Sequence, residues 1–133
     1  MPEFDIETEP INVFKIDDQY LFTHYFDRTD LFDQLRPYYN DEEYRFEVPA
    51  DDFETVRTHL TEEYFDPRVI EDPEPYCVVK EMYTEHAAIL RDSVAHWERA
   101  GHLFFLMKDE LAVKEALEQG ATHISETDFV PGI

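Results

Sequence analysis

Two lysines stand at the ends of apolar segments in a chain that has only four lysines. Lys80 closes the segment YCVVK and Lys108 closes LFFLMK, whereas 32 of the 133 residues are aspartate or glutamate. The ammonium group of a lysine is a compact positive charge that binds carboxylate or phosphate groups. The first question is therefore whether the fold brings these two lysines together as an anion site.

The apolar pattern between residues 43 and 107 predicts six elements in the order strand, helix, strand, strand, helix, strand. The strands are EYRFEV, a short segment at 68–70, YCVVKEM and HLFFLM, and the proline-containing turn EDPEP makes the middle two a hairpin. The first helix starts near Asp51, with Glu54 in the position of a capping box. This order resembles the ferredoxin-like, or split βαβ, arrangement of an α+β fold, and the resemblance lies in element order alone.

The second helix of this unit is predicted from an apolar stripe with spacings of four, three, four and three residues, which fits one helix face. A glycine at position 101 suits the C-terminal end of such a helix. The residues of the stripe are Tyr83, Ala87, Leu90, Val94 and Trp97.

Further elements flank this unit within one predicted domain of residues 1–133. An acidic leader (1–10) precedes a hairpin of INVFKI and YLFTHYF, and then a short helix that ends near Arg36. A last helix begins at Asp109 and ends at Gly120, and the tail 121–133 can add one short strand. An open α/β sheet covered on both faces is the alternative architecture, because HLFFLM has no polar face.

In the split βαβ order, the ends of YCVVK and LFFLMK lie at one edge of the sheet, about 10 Å apart. Arg45, Tyr83 and His86 join Lys80 and Lys108 there, and the five residues form our predicted ligand site for a small anionic ligand. The alternative is that both lysines pair with acidic neighbours and have no ligand.

The strand at Leu103–Met107 is apolar on both faces, so its second face needs a cover. We expect a homodimer in which a second copy supplies this cover. Cover by the N-terminal hairpin of the same chain is the alternative.

Several kinds of site are excluded by the motifs that the sequence lacks. Only three glycines are present, so neither a P-loop nor a dinucleotide fingerprint can be built, and no G-x-S-x-G element occurs. The six histidines show no metal-binding spacing, so we predict no metal and no cofactor. The single cysteine, Cys77, lies in an apolar segment and is expected to be a buried, reduced thiol.

The net charge of −21 is spread through almost every segment of the chain. Acid-rich, lysine-poor composition of this kind resembles that of cytoplasmic proteins from extremely halophilic archaea, where the charge reflects the solvent. We therefore expect a cytoplasmic protein. The absence of a basic patch argues against direct nucleic-acid binding, and no apolar segment approaches the length of a membrane span.

These observations favour a non-catalytic module of a halophilic cytoplasm that either binds a small ligand or a protein or has a regulatory role. Two alternatives belong to other classes of protein. One is a small ferredoxin-like enzyme that uses a histidine, His86 or His102, with neighbouring carboxylates. The other is an acidic decoy that occupies a basic or nucleic-acid-binding protein.

Overall fold

Two β-sheets stack face to face, with helices on their outer sides, in residues 8–130, the part of the chain that the computed structural model describes. The fold is therefore α+β, with two sheets and four helices. The first sheet has the strand order β3-β4-β2-β1-β5 and the second has the order β7-β8-β6-β9. Of the predicted acidic leader, residues 1–7 lie outside the described part, as do residues 131–133 of the tail.

The first sheet and its two helices are built from the N-terminal half of the chain. Only the β1–β5 pairing is parallel; the other neighbours in this sheet are antiparallel. The elements are β1 (Glu9–Ile16), β2 (Gln19–Phe22), α1 (Thr29–Leu35), β3 (Tyr39–Asn40), β4 (Arg45–Pro49), α2 (Phe53–Glu62) and β5 (Phe65–Ile70).

The second sheet is antiparallel throughout and is built from the C-terminal half of the chain. Its elements are β6 (Cys77–Glu81), α3 (Ala87–Arg91), β7 (Ser93–Arg99), β8 (His102–Met107), α4 (Glu110–Glu118) and β9 (Thr122–His123). The predicted N-terminal hairpin, the helix that ends near Arg36, the last helix and the short final strand are all confirmed. Among the helices of residues 8–130, none has both the length and the apolarity needed to cross a membrane.

Alternation along the strands sorts the apolar side chains into three cores. In β1, Ile11 and Val13 face α1 and α2, whereas Phe14 faces the second sheet. In β8, Phe104 and Leu106 face the first sheet, while Phe105 and Met107 face α3 and α4. The layers are therefore helices, sheet, sheet, helices.

The position of β8 corrects two predictions: that this strand lies at a sheet edge, and that a second copy of the chain covers it. This strand lies between β7 and β6 rather than at an edge, and residues 104–107 are each at most 1% exposed. The first sheet covers one of its faces, and α3 and α4 cover the other. A second copy of the chain is not needed as a cover, and the segment Leu103–Met107 offers it almost no surface to contact.

The predicted ferredoxin-like unit over residues 43–107 is not confirmed, because its strands belong to different sheets. EYRFEV becomes β4 of the first sheet, whereas YCVVKEM and HLFFLM become β6 and β8 of the second. The predicted hairpin across EDPEP is wrong: β5 pairs in parallel with β1, and Glu71–Tyr76 connects the two sheets. The alternative single open sheet does not fit either, since the two-sided cover of β8 comes from a sheet and a helix layer.

The helix predicted from the apolar stripe between Tyr83 and Trp97 forms only at Ala87–Arg91 and is wrong beyond Arg91. Residues 93–99 form β7, and Ala100 and Gly101 both have positive φ angles, 54° and 76°. Two consecutive residues with positive φ characterise the two-residue hairpin turns that match the twist of adjoining strands. Gly101 therefore closes the β7–β8 hairpin and does not end a helix.

Candidate functional site

Lys80 is bound to the backbone at the end of the last helix. Its Nζ donates to the carbonyl of Gln119, at 3.0 Å, and to the carbonyl of Glu85. Gln119 is the C-cap of α4, where helix carbonyls lack intrahelical partners and favour a positive charge. Lys80 therefore ties β6 to the end of α4 and to the start of α3.

Lys108 occupies a different environment at the end of β8. Its Nζ lies 3.4 Å from Asp92 Oδ1, and its carbonyl accepts a hydrogen bond of 3.2 Å from Asn12 Nδ2 of β1. The backbone N–H of Lys108 also donates to the carbonyl of Asp92. This lysine therefore pairs with an acidic partner, as the alternative interpretation expected, although the partner is not one of its sequence neighbours.

The two lysines lie at opposite ends of the second sheet. Lys80 is opposite Leu103 at the start of β8, and Lys108 follows the last residue of the same strand. Lys108 lies five residues beyond Leu103 in extended chain, which corresponds to roughly 16 Å. The shared edge that motivated the predicted anion site is therefore absent, because that geometry depended on a ferredoxin-like unit with β8 at its edge.

The other three predicted ligand residues are not together either: Arg45 lies on the first sheet, and Tyr83 and His86 lie near Lys80. Arg45 is far along the chain from Lys80. Its Nη1 donates across the sheets to the carbonyl of Val94 at 3.1 Å, and its Nε donates to Glu47 on the same strand at 2.8 Å. Tyr83 and His86 follow Lys80 in the β6–α3 connection. Tyr83 is 96% exposed, and His86 Nδ1 donates to the carbonyl of Thr84 at 2.9 Å.

A small cavity of about 240 Å³ lies beside Lys80, and Thr84 and His102 are among its lining residues. Within residues 8–130, no three His, Cys, Asp or Glu side chains come together in a way that could hold a metal ion. Cys77 is buried, and this burial raises the pKa of its thiol to about 12, with further contributions from Glu74 and Asp72. A thiol in this environment is a poor nucleophile at neutral pH.

The largest cavity described, about 650 Å³, lies where the two halves of the chain meet. We call it the tyrosine cleft, and its walls come from three segments. The residue after β2 and the two that follow it form one wall, β3 and the β3–β4 loop form the second, and the α3–β7 segment forms the third. The lining residues are Thr23, His24, Tyr25, Tyr39, Glu42, Glu43, Tyr44, Ala87, Leu90, Arg91, Ser93 and His96.

Two tyrosines project into solvent at this cleft. Tyr25 is 87% exposed and Tyr44 is 71% exposed, so neither ring contributes much to the core. Tyr44 also has a φ angle of 55°, in the left-handed region that costs a residue with a Cβ about 1 kcal/mol. Residues in strained conformations cluster at functional sites. Tyr64 and Tyr83 are also exposed and have positive φ angles, so the feature that singles out Tyr44 is its position in the lining of this cleft.

The loop that carries Tyr44 is held in place by hydrogen bonds from both directions. Asn40 Oδ1 accepts from the backbone N–H groups of Glu42 and Glu43, at 3.0 and 3.1 Å. Thr23 Oγ1 donates to the carbonyl of Tyr44 at 3.2 Å. Asparagine is well suited to such a turn because its side chain replaces a backbone acceptor. The cleft wall is therefore preorganised.

Charge in the cleft is mainly negative. The carboxylates of Glu42 and Glu43 are on the β3–β4 loop, and Glu43 Oε2 lies 3.9 Å from His96 Nδ1. Arg91 is the one arginine or lysine among the residues that line this cleft. Burial raises the pKa of the Tyr39 phenol, with help from Tyr44 and Asp41, so this ring stays neutral at physiological pH.

His24 lies between the tyrosine cleft and a second cavity of about 420 Å³, and it lines both. Its ring packs 4.9 Å from Phe26 and 5.3 Å from Phe65, measured between ring centroids. Burial lowers the pKa of His24, opposed by Glu9, whose Oε2 is 3.8 Å from Nε2. The imidazole is therefore neutral at pH 7 and can accept a proton.

Sequence reasoning missed this cleft entirely. The signal available was the density of tyrosines in otherwise polar segments, HYFDRTD and RPYYNDEEYR, where a core role is hard to assign. The left-handed conformation of Tyr44 has no sequence signature, because that region is populated mainly by glycine and asparagine.

No protein-family model matches this chain, and no curated protein and no solved structure shows significant similarity to it. Function must therefore be inferred from the chemistry and geometry of the sites themselves.

Proposed function

We propose that this protein is a non-catalytic module that binds a small ligand in the tyrosine cleft. The observation that carries the proposal is Tyr44, a strained and exposed aromatic residue on a hydrogen-bonded loop at the largest cavity described for residues 8–130. A volume near 650 Å³ lies within the range of small-molecule sites, roughly 300–1,000 Å³.

Three features of the cleft suit a binding role. Its apolar surface, from Ala87 and the partly exposed Leu90, offers contact area for an organic ligand. Tyrosines contribute large contact surfaces at low cost in side-chain entropy, because they have few rotatable bonds. The preorganised loop reduces the entropy lost on binding.

Backbone amide chemical shifts, recorded by NMR with a library of small aromatic compounds, test this proposal. Shifts that concentrate in residues 23–25, 39–44 and 87–96 support it. Two results would count against it: no specific binding of any compound, or shifts confined to the small cavity beside Lys80. The second result would restore Lys80, Tyr83 and His86 as ligand residues.

A small enzyme is the second candidate function, and His24 is the observation that favours it. A neutral, partly buried imidazole that lines two cavities, with the Glu9 carboxylate nearby, has the composition of a general base and its partner. Bound compounds should then be chemically altered during long incubation. Replacing His24 with glutamine should abolish the reaction and leave ligand affinity within about twofold.

We also propose a halophilic cytoplasm as the setting, supported by the net charge of −21 and the low lysine content. We propose that any homodimer forms through a surface other than Leu103–Met107.

For the fold, we propose that the split βαβ order occurs at residues 77–123 rather than 43–107. Its support is that β6, α3, β7, β8, α4 and β9 follow one another along the chain, in a sheet ordered β7-β8-β6-β9.

A further inference from the structure

We infer that the ligand of the tyrosine cleft is a small organic cation, an amine or quaternary ammonium compound with an apolar body. This inference rests on the proposed function and adds the chemical class of the ligand. It follows from the combination of exposed aromatic faces, carboxylates and an apolar wall in one cavity.

The aromatic faces are the first part of the argument. A tyrosine ring carries negative electrostatic potential on its face, so a cation within about 6 Å of the ring centroid is attracted to it. Tyr25 and Tyr44 lie on different walls of the cleft and are both mostly exposed, which leaves their rings available to a ligand. A charged group between them is attracted to both rings.

The carboxylates are the second part. Glu42 and Glu43 place two negative charges on the loop that also carries Tyr44, against the single positive charge of Arg91. Since the chain as a whole carries −21, the potential at this cleft favours a cation over an anion.

The apolar wall limits the ligand to one with an organic body. Ala87 and Leu90 line the cleft from the α3–β7 segment rather than from the acidic loop, and Leu90 is 38% exposed although it is apolar. A hydrated metal ion would leave this surface uncovered. An organic cation covers it and also places its charge near the carboxylates.

Three probes that share an aromatic ring but differ in charge test the inference: benzyltrimethylammonium, benzyl alcohol and benzoate. Amide shifts are followed in 1 M KCl, where the screening length of about 3 Å suppresses diffuse attraction to the acidic surface. We expect benzyltrimethylammonium to shift the amides of residues 39–44 and 87–96, with an affinity at least about fivefold above the other two probes.

Two variants separate contact in the cleft from a general effect on the fold. Tyr44→Asn removes one aromatic face and is expected to weaken binding of benzyltrimethylammonium about threefold to tenfold. Tyr64→Asn is the matched control, because Tyr64 also has a positive φ angle, 68°, and is half exposed, but does not line the cleft. Its affinity should equal that of the unmodified protein.

The outcomes distinguish this inference from the proposed function on which it rests. If benzoate or benzyl alcohol binds in the cleft as tightly as the cation, the charge preference is wrong while the cleft remains a ligand site. If none of the probes shifts the cleft amides, the inference fails, and the compound library decides separately whether the cleft binds any ligand. Equal losses in the Tyr44→Asn and Tyr64→Asn variants would also overturn the inference.

Discussion

Replacing Arg45 with methionine is expected to destabilise the contact between the two sheets. Arg45 begins β4 of the first sheet, and its side chain, 17% exposed, reaches across to the carbonyl of Val94 in β7. A register irregularity between Ser93 and Ala95 leaves Val94 without a partner in the β7–β8 pairing. Arg45 therefore satisfies a backbone acceptor in a bulge, in a residue that is itself only 1% exposed.

The magnitude follows from the groups that lose a partner. A hydrogen bond from a charged donor contributes about 1.5–3 kcal/mol, and a buried carbonyl left without a donor costs about 1–3 kcal/mol. These two terms overlap because they describe the same bond. Glu47 loses an ion-pair partner but keeps a hydrogen bond of 3.2 Å from Asn40 Nδ2. We expect a total loss of about 2–4 kcal/mol in the free energy of unfolding.

Urea unfolding in 1 M KCl measures this loss, and the chain contains a matched control. Arg68 and Asp66 also stand two residues apart on a strand with an Nε to carboxylate distance of 3.0 Å, but they are 61% and 44% exposed. Arg68→Met should cost no more than about 1 kcal/mol. If the Arg45 and Arg68 variants lose the same stability within about 0.5 kcal/mol, Arg45 does not tie the sheets together.

Three further predictions concern titratable groups and salt. Cys77 should react with iodoacetamide at pH 8 at least about a thousandfold more slowly than it does in the unfolded chain. The reason is that a thiol with a pKa of about 12 is almost entirely protonated at pH 8. A rate near that of free cysteine would contradict the burial of Cys77. Burial lowers the pKa of His24 below its ordinary value of 6.5, so the unfolded state binds the proton more readily, and stability should fall as the pH decreases below about 6.5. Glu9 and Asp27 favour the charged imidazole and Lys108 opposes it, but burial is the largest effect on this pKa. Because His24→Gln has no imidazole to titrate, its stability should fall less than that of the unmodified protein, and equal pH profiles would refute the prediction. The urea midpoint should rise between 0.1 and 1 M KCl, as the screening length decreases from about 10 to about 3 Å, and a constant midpoint would argue against salt adaptation.

An element could be predicted from the sequence where its apolar pattern fits either the helix period or the strand period, but not both. The helix starting at Asp109 has its N-cap there, with Asp109 Oδ1 accepting from the N–H of Ala112 at 2.7 Å. The helix predicted from Asp51 forms at Phe53–Glu62, although Asp52 occupies the N-cap without a side-chain bond, so the capping box is absent. In both cases local spacing was sufficient because one face of each helix packs on a sheet.

Residues 93–99 could not be predicted because their apolar positions fit two periods. Val94 and Trp97 are three residues apart, which suits a helix, yet Ala95 and Trp97 fit a strand face. Tertiary contacts select the strand: the Trp97 ring stacks on Phe104 at 5.6 Å, with an interplanar angle of 11°. Val94 does not fit the strand alternation, and the bulge between Ser93 and Ala95 lets its side chain pack in the same core as Phe104.

The candidate site was harder to predict than the fold. The predicted anion site assumed that two strand ends share an edge, and this property belongs to the topology rather than to the residues. Lys80 and Lys108 are instead explained by the groups they contact, the end of α4 and the carboxylate of Asp92. The tyrosine cleft depends on contact between distant segments, and only the folded chain brings these together.

The edges of the two sheets decide where a second copy could add a strand. The edge strands are β3 and β5 in the first sheet and β7 and β9 in the second. β3 and β9 are two residues long, and β5 contains Pro67, which cannot donate a backbone hydrogen bond. β7, with seven residues, is the one edge within residues 8–130 that is long and free of proline.

Pairing between β7 edges brings two chains of −21 charge together, so repulsion opposes it at low ionic strength. Exposed Glu98 on β7 adds a local charge of the kind that protects sheet edges. Because molar KCl screens both contributions, we expect the fraction of dimer to increase between 0.1 and 1 M KCl. Light scattering measures this directly. A mass that stays at 15.9 kDa in both conditions would exclude association through β7 at the concentration tested.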